Sequence, residues 1–126
     1  MRTPKAAVLA YGYDGREMNI LKTVCAKLDI RPRRVDAAEH GRPVGAFFGL
    51  VPPECGAGPA GPIPGRMLVL AGFAPRQMDA FLSALRTARA GDSLKAVLTE
   101  HNASWTGPAL YAELSQERRR ILEASR

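Results

Sequence analysis

Apolar residues follow two alternating patterns along this chain. Residues 6–11, Ala-Ala-Val-Leu-Ala-Tyr, form a short continuous apolar run. A polar, glycine-containing stretch follows at 12–17, and then Met18, Leu21, Val24, Cys25 and Leu28 recur at helical spacing. Asp14 is placed to cap that helix, and Glu17, three residues on, completes a capping box in its aspartate form. Ile30 and Pro32 end the helix, and 33–37 reads as a short strand of weak apolar content. The second half repeats the sequence of events. Residues 67–71, Met-Leu-Val-Leu-Ala, are followed by a turn at 72–76, with Pro75 where proline starts a helix well. Met78, Phe81, Leu82, Leu85 and Ala88 form the stripe, Gly91 and Asp92 end it, and 94–98 is the next strand. The halves align at an offset of 60: Gly12 on Gly72, Arg16 on Arg76, Met18 on Met78. A last helix over 108–124 has Leu110, Tyr111, Leu114, Ile121 and Leu122 as its apolar positions.

The segment between the halves is different. Residues 44–50 read as a short helix or a hydrophobic turn. Residues 51–66 hold five prolines and four glycines, a density that no regular element survives, and read as a mobile loop. Neither half alone carries enough apolar material for a core. The chain is therefore expected to be one domain: two similar βα units, about 6–37 and 67–98, joined by the loop at 51–66 and completed by a C-terminal helix.

The runs at 6–11 and 67–71 are apolar on both alternating faces, the signature of strands covered on both sides. The other two strands are more polar and suit the edges. Right-handed crossovers then give an α/β fold: a small four-stranded, mainly parallel open sheet in the order 2-1-3-4, with helices on both faces. The alternative is a ferredoxin-like α+β fold, also built from two βαβ units. Its open sheet face calls for alternating central strands, which these are not. In the preferred arrangement, ligands sit at the carboxyl ends of the strands where the winding reverses. Segments 12–16, 72–76 and 99–105 are expected to line that place together.

Composition adds limits. A chain of 126 residues, 46% hydrophobic, buries roughly two-thirds of its unfolded surface and needs no disulfide or metal staple. Cys25 and Cys55 match neither a zinc pattern nor a disulfide framework. They read as a reduced core thiol and a loop thiol in a cytoplasmic protein. The apolar stretch before Asp14 is too short for a signal peptide or a membrane span. A net charge of +6 favours acidic partners, nucleic acid among them. The basic residues are scattered, however, with runs only at 31–34 and 118–120, and the groove-and-aromatic pattern of a nucleic-acid face is missing.

Candidate chemistry gathers at the strand ends. Gly12 and Gly72 precede helix N-termini, which attract anions, yet neither turn is a G-x-G-x-x-G or a P-loop, and a lone glycine in such a turn also serves simply to permit it. Arg16 and Arg76 occupy first helical turns, against the helix dipole, and either clamp an anion or lie solvated. Thr99, Glu100, His101 and Asn102 follow the last strand abruptly. Glu100 or His101 offers an acid/base group, but no nucleophile stands in a recognisable context, so no catalytic set is assigned. His40 and His101 have no metal-ligand spacing, and nothing specifies a cofactor. Thr99 and Asn102 also suit holding the loop backbone, Thr106 suits capping the last helix, and Trp105 suits anchoring it.

The stretch Leu94, Lys95, Ala96, Thr99, Glu100, Asn102, Trp105, Leu110, Glu113 and Leu114, with the Gly72-Phe73 turn before it, resembles the bacterial family catalogued as domain of unknown function 3783. The likeness spans about 67–117, and the N-terminal half fits more loosely. It implies a small, soluble, cytoplasmic bacterial protein and implies no activity. The functional expectation is a non-catalytic binding or regulatory module. Gly12, Arg16, Gly72, Arg76, Thr99, Glu100 and Asn102 would hold a small anionic ligand or a protein partner. A small enzyme using Glu100 or His101, and a weak nucleic-acid binder using the two arginine runs, stand as alternatives.

Overall fold

A computed structural model describes residues 6–54, 56–90 and 92–124. Cys55, expected as a loop thiol, and Gly91, expected to end a helix, lie outside the described residues. The order of elements is β1 (Ala7–Tyr11), α1 (Gly15–Lys27), β2 (Arg31–Val35), β3 (Met67–Ala71), α2 (Pro75–Thr87), β4 (Leu94–Val97) and α3 (Gly107–Ala124). Short 3-10 turns occupy Ala37–Glu39 and Val44–Phe48.

Local chemistry sets the helix ends. The Glu17 N–H donates to Asp14 Oδ1 at 2.8 Å, and the Asp14 N–H donates to Glu17 Oε1 at 3.0 Å, the expected capping box. At the matching place in α2, Ala74 has no side-chain acceptor. Only the return bond survives there, from the Ala74 N–H to Gln77 Oε1 at 3.5 Å, and Pro75 supplies the preset backbone instead. Both helices stop on a left-handed residue that is not glycine: Asp29 at φ 57° and Arg89 at φ 58°. The residue after each donates back into the last turn, Ile30 N–H to the Cys25 carbonyl at 3.0 Å and Ala90 N–H to the Leu85 carbonyl at 2.8 Å. This is the Schellman closure. It ends α1 before Pro32 is reached and lets β2 start two residues earlier than the sequence pattern predicts.

The four strands form one sheet in the order β2-β1-β3-β4. β1 pairs with β2 in parallel, and β3 with β4 in parallel. The central pair, β1 with β3, is antiparallel, with Leu9 opposite Val69 and Tyr11 opposite Met67. The expected order and mainly parallel character are present, and each crossover joins neighbouring strands rather than leaving a gap as in a ferredoxin-like fold. Both central strands are buried on both faces. Because the centre is antiparallel, crossovers of one hand place both helices on the same side. α1 and α2 cover Val8, Ala10, Leu68 and Leu70 with Met18, Leu21, Phe81 and Leu85. The other face, Leu9, Tyr11, Val35, Met67, Val69 and Ala96, is covered by α3 and by the turn at Val44–Phe48, with Ile63 of the proline-rich segment packed against it.

That segment has no regular structure, as expected, but it is pinned rather than loose. The Ala57 N–H donates to the Ser104 carbonyl at 2.8 Å, and the Thr106 N–H donates to the Ala57 carbonyl at 3.1 Å. His40, buried, places Nδ1 3.0 Å from the Gly61 carbonyl. At the head of α3, Gly107 leaves no room for a side chain, because a Cβ there would collide with the Tyr11 ring.

Candidate functional site

The antiparallel centre divides the residues expected to converge. The carboxyl ends of β3 and β4 lie at one end of the strands (the first edge), and those of β1 and β2 at the other end (the second edge). Gly72, Arg76, Thr99, Glu100 and Asn102 therefore belong to the first edge, while Gly12 and Arg16 belong to the second. No single switch-point cleft is lined by all three turns. The expectation failed on strand direction alone. A parallel β1–β3 pair would have brought the turns together.

At the first edge, the polar burst after β4 is a closed turn. The Thr99 N–H donates to Asn102 Oδ1 at 2.9 Å, and the Asn102 N–H donates to Thr99 Oγ1 at 3.1 Å. Asn102 Nδ2 donates to the Val97 carbonyl at 3.1 Å, and the Ala103 N–H donates to the Thr99 carbonyl at 3.0 Å. Asn102 is buried, whereas Arg76, Glu100 and His101 are exposed. The His101 ring packs edge-on to Trp105 at 5.1 Å between centroids. The next residues form a hub: the carbonyls of Ala103 and Trp105 accept from the Gly45 and Val44 N–H groups at 2.8 and 2.9 Å. Thr106 Oγ1 accepts from the Ala109 N–H at 3.3 Å, the predicted cap of α3. The stretch that looked most like chemistry is a joint that seats α3 and the connecting segment.

At the second edge, Gly12 (φ 77°) lies so close to the Gly65 carbonyl that a Cβ would strike it. Arg66 pairs with Glu17 and reaches Asp92 at 3.2 Å, and the Tyr13 hydroxyl meets Ser93 Oγ at 3.0 Å. Burial raises the Tyr13 phenol above its ordinary value, with the Ser93 bond opposing. Arg16 is exposed.

Sequence reasoning missed a cluster beside β2. Glu39 accepts from Arg33 at 3.0 Å and from Arg42 at 3.2 Å. Both guanidiniums lie on the Phe47 ring, at 4.5 and 5.3 Å from its centroid. Burial works to raise the Glu39 carboxyl. The Asp36 N–H and the two arginines outweigh it, and the net shift is downward. The only local signal was the three-residue spacing of Glu39 and Arg42, since Phe47 reaches the cluster through the 3-10 turn. Beneath it, the Tyr11 ring lies 5.7 Å from that of His40. Among the described residues, the Tyr11 hydroxyl is the one buried side-chain polar atom without a hydrogen-bond partner. Burial raises its pKa strongly.

The two arginine runs do not join. Arg31, Arg33 and Arg34 lie on β2, one outer strand, while the run at 118–120 lies on α3, whose Arg118 shares a groove with Leu94 of β4, the other outer strand. Among the described residues, no three His, Cys, Asp or Glu side chains group to hold a metal, and no helix is long and apolar enough to cross a membrane. A further candidate surface is the outer half of α3. Ile121 and Leu122 are 66% and 57% exposed. They flank the groove formed with Leu94, Leu114, Glu117 and Arg118.

Residues 66–121, from the start of β3 into the last turns of α3, match the family described as Domain of unknown function (DUF3783). No curated protein and no solved structure matches the chain.

Proposed function

We propose that this protein is a non-catalytic binding module whose ligand is another protein. The observation that carries the reading is the fate of Asn102, whose amide is spent on the Thr99 N–H and the Val97 carbonyl. With Thr99 equally committed, and Gly12 and Arg16 at the far edge, the residues expected to hold a small anion reduce at the first edge to the Gly72 turn, Arg76 and the oppositely charged Glu100. An exposed apolar pair on α3 within a charged frame is the surface that protein partners use. The same placement gives little support to an enzyme reading, because Glu100 and His101 are exposed with no nucleophile organised beside them. We place the protein in the bacterial cytoplasm on the strength of the family resemblance and of the buried, unpaired Cys25 thiol.

The test is a thermal-shift panel of phosphate, sulfate, nucleotides, sugar phosphates and dicarboxylates. A specific ligand at a hundred times its Kd stabilises a fold by about 2.7 kcal/mol. The expected result is no shift from any class. A shift from one class that disappears in Arg76→Ala would return the small-anion reading and overturn this one.

A further inference from the structure

We infer that the outer half of α3 is a self-docking surface whose occupant is a second copy of this chain, aligned antiparallel. The inference rests on the protein-binding reading and names the partner. Its first support is how α3 meets the sheet. The helix begins against Tyr11 of β1, at Gly107, and reaches the start of β4 at Leu114 and Leu94. Eighteen residues span about 27 Å, whereas β1 and β4 are two strand spacings apart, about 10 Å. The helix overshoots the edge. The face that buries Leu110 over the sheet continues through Leu114, Glu117, Arg118 and Ile121, which at spacings of three and four share one side of the helix. Past Leu114 it lines an open groove with Asp92, Ser93, Leu94 and Lys95 at the start of β4.

The second support is the order of residues on that face. Leu114, Glu117, Arg118 and Ile121 read apolar, acidic, basic, apolar. An axis between 117 and 118 sets Leu114 against Ile121 of the second copy and Glu117 against its Arg118, and repeats both contacts by symmetry. A parallel alignment would instead oppose like charges. The third support is charge. The whole chain carries +6 and two copies repel, but α3 holds three glutamates and three arginines and is neutral. Arg120 is turned away, donating to Gln116 Oε1 at 3.3 Å. Leu122 lines the same groove as Leu94.

Sedimentation equilibrium of the full chain from micromolar to millimolar concentration tests this. The expected result is a monomer–dimer equilibrium. Ile121→Asp should raise the dimer Kd at least about tenfold, because docking would then bury a charge where an apolar side chain sat. Glu117→Arg should weaken the dimer by about tenfold as well, through like charges across the axis. Glu117→Arg combined with Arg118→Glu in one chain should restore it, since each new arginine again faces a glutamate. A monomer at every concentration, a dimer indifferent to Ile121→Asp, or a double variant that stays weak would each overturn the inference. A photo-crosslinking side chain at Leu122, activated in extract of the source cells, separates the two readings. A covalent dimer supports both. An adduct with a different protein overturns the second copy and leaves the binding module standing, and no adduct overturns both.

Discussion

Leu9 and Val69 face each other at the middle of the β1–β3 ladder, and a local two-fold axis normal to the sheet passes between them. The offset between them, sixty residues, also relates Gly12 (φ 77°) to Gly72 (φ 75°) and Asp29 (φ 57°) to Arg89 (φ 58°). The pairs on either side obey the same symmetry, since Ala7 opposite Ala71 maps onto Met67 opposite Tyr11. An axis of this orientation keeps both crossover helices on one face and sends the two glycine turns to opposite edges. The repeat in the sequence is thus a repeat of architecture. It does not assemble one site from two halves.

Gly12 illustrates what its turn is for. Its left-handed backbone costs a side chain roughly 1–2 kcal/mol, and a Cβ would also strike the Gly65 carbonyl. Gly12→Ala should therefore destabilise the fold by about 2 kcal/mol or more, whereas the exposed Arg16→Ala should stay within about 0.5 kcal/mol. Urea unfolding of the two variants measures both. Equal effects would mean that the close approach to Gly65 is not maintained in solution.

Asn102 should behave as a structural residue. Asn102→Ala strips partners from the Thr99 N–H and the Val97 carbonyl, a loss of about 2–3 kcal/mol if these backbone groups stay dry. Glu100→Ala, two residues away and exposed, should change stability by less than about 0.5 kcal/mol. A thermal melt of each variant decides. An Asn102→Ala protein as stable as the wild type would reopen a ligand-binding role for that amide.

Acid should loosen the cluster beside β2. The folded-state pKa of Glu39 lies below its ordinary 4.5, so the unfolded chain takes up a proton first as pH falls. The carboxylate's contribution is complete above that value and is lost as pH drops from it through the lower folded value. Glu39→Gln should be less stable than wild type at neutral pH and should lose less on acidification. Chemical denaturation across that interval reads the difference, and parallel pH profiles for the two proteins would contradict the assigned pairing with Arg33 and Arg42.

Much of the fold was legible because its determinants are local. Asp14 with Glu17, Pro75 and Thr106 each act within one turn of chain, the stripe from Met18 to Leu28 acts within one helix, and each element they predict is present. For Thr99 and Asn102 the sequence offered two roles, holding a ligand and holding the loop backbone, and the bonds seen between them are of the second kind. Helix ends were less readable. Asp29 and Arg89 adopt left-handed backbone without being glycine, held there by bonds that close only once the helix exists.

The sequence alone indicated the four strands and three helices and that β1 and β3 are buried on both faces, and it favoured the order 2-1-3-4 over a ferredoxin-like one. Only the tertiary structure decided the direction of β3 against β1. An apolar strand buried on both faces carries no mark of direction, because its alternating side chains fill either orientation equally. The choice falls to the connection from 36 to 66. It leaves β2 and enters β3 at the same edge, and it packs the Val44–Phe48 turn, Ile63 and the Ala57 bridge against α3 and the second face. Those contacts join residues far apart in sequence, and through them the two glycine turns were parted and the outer half of α3 was left exposed.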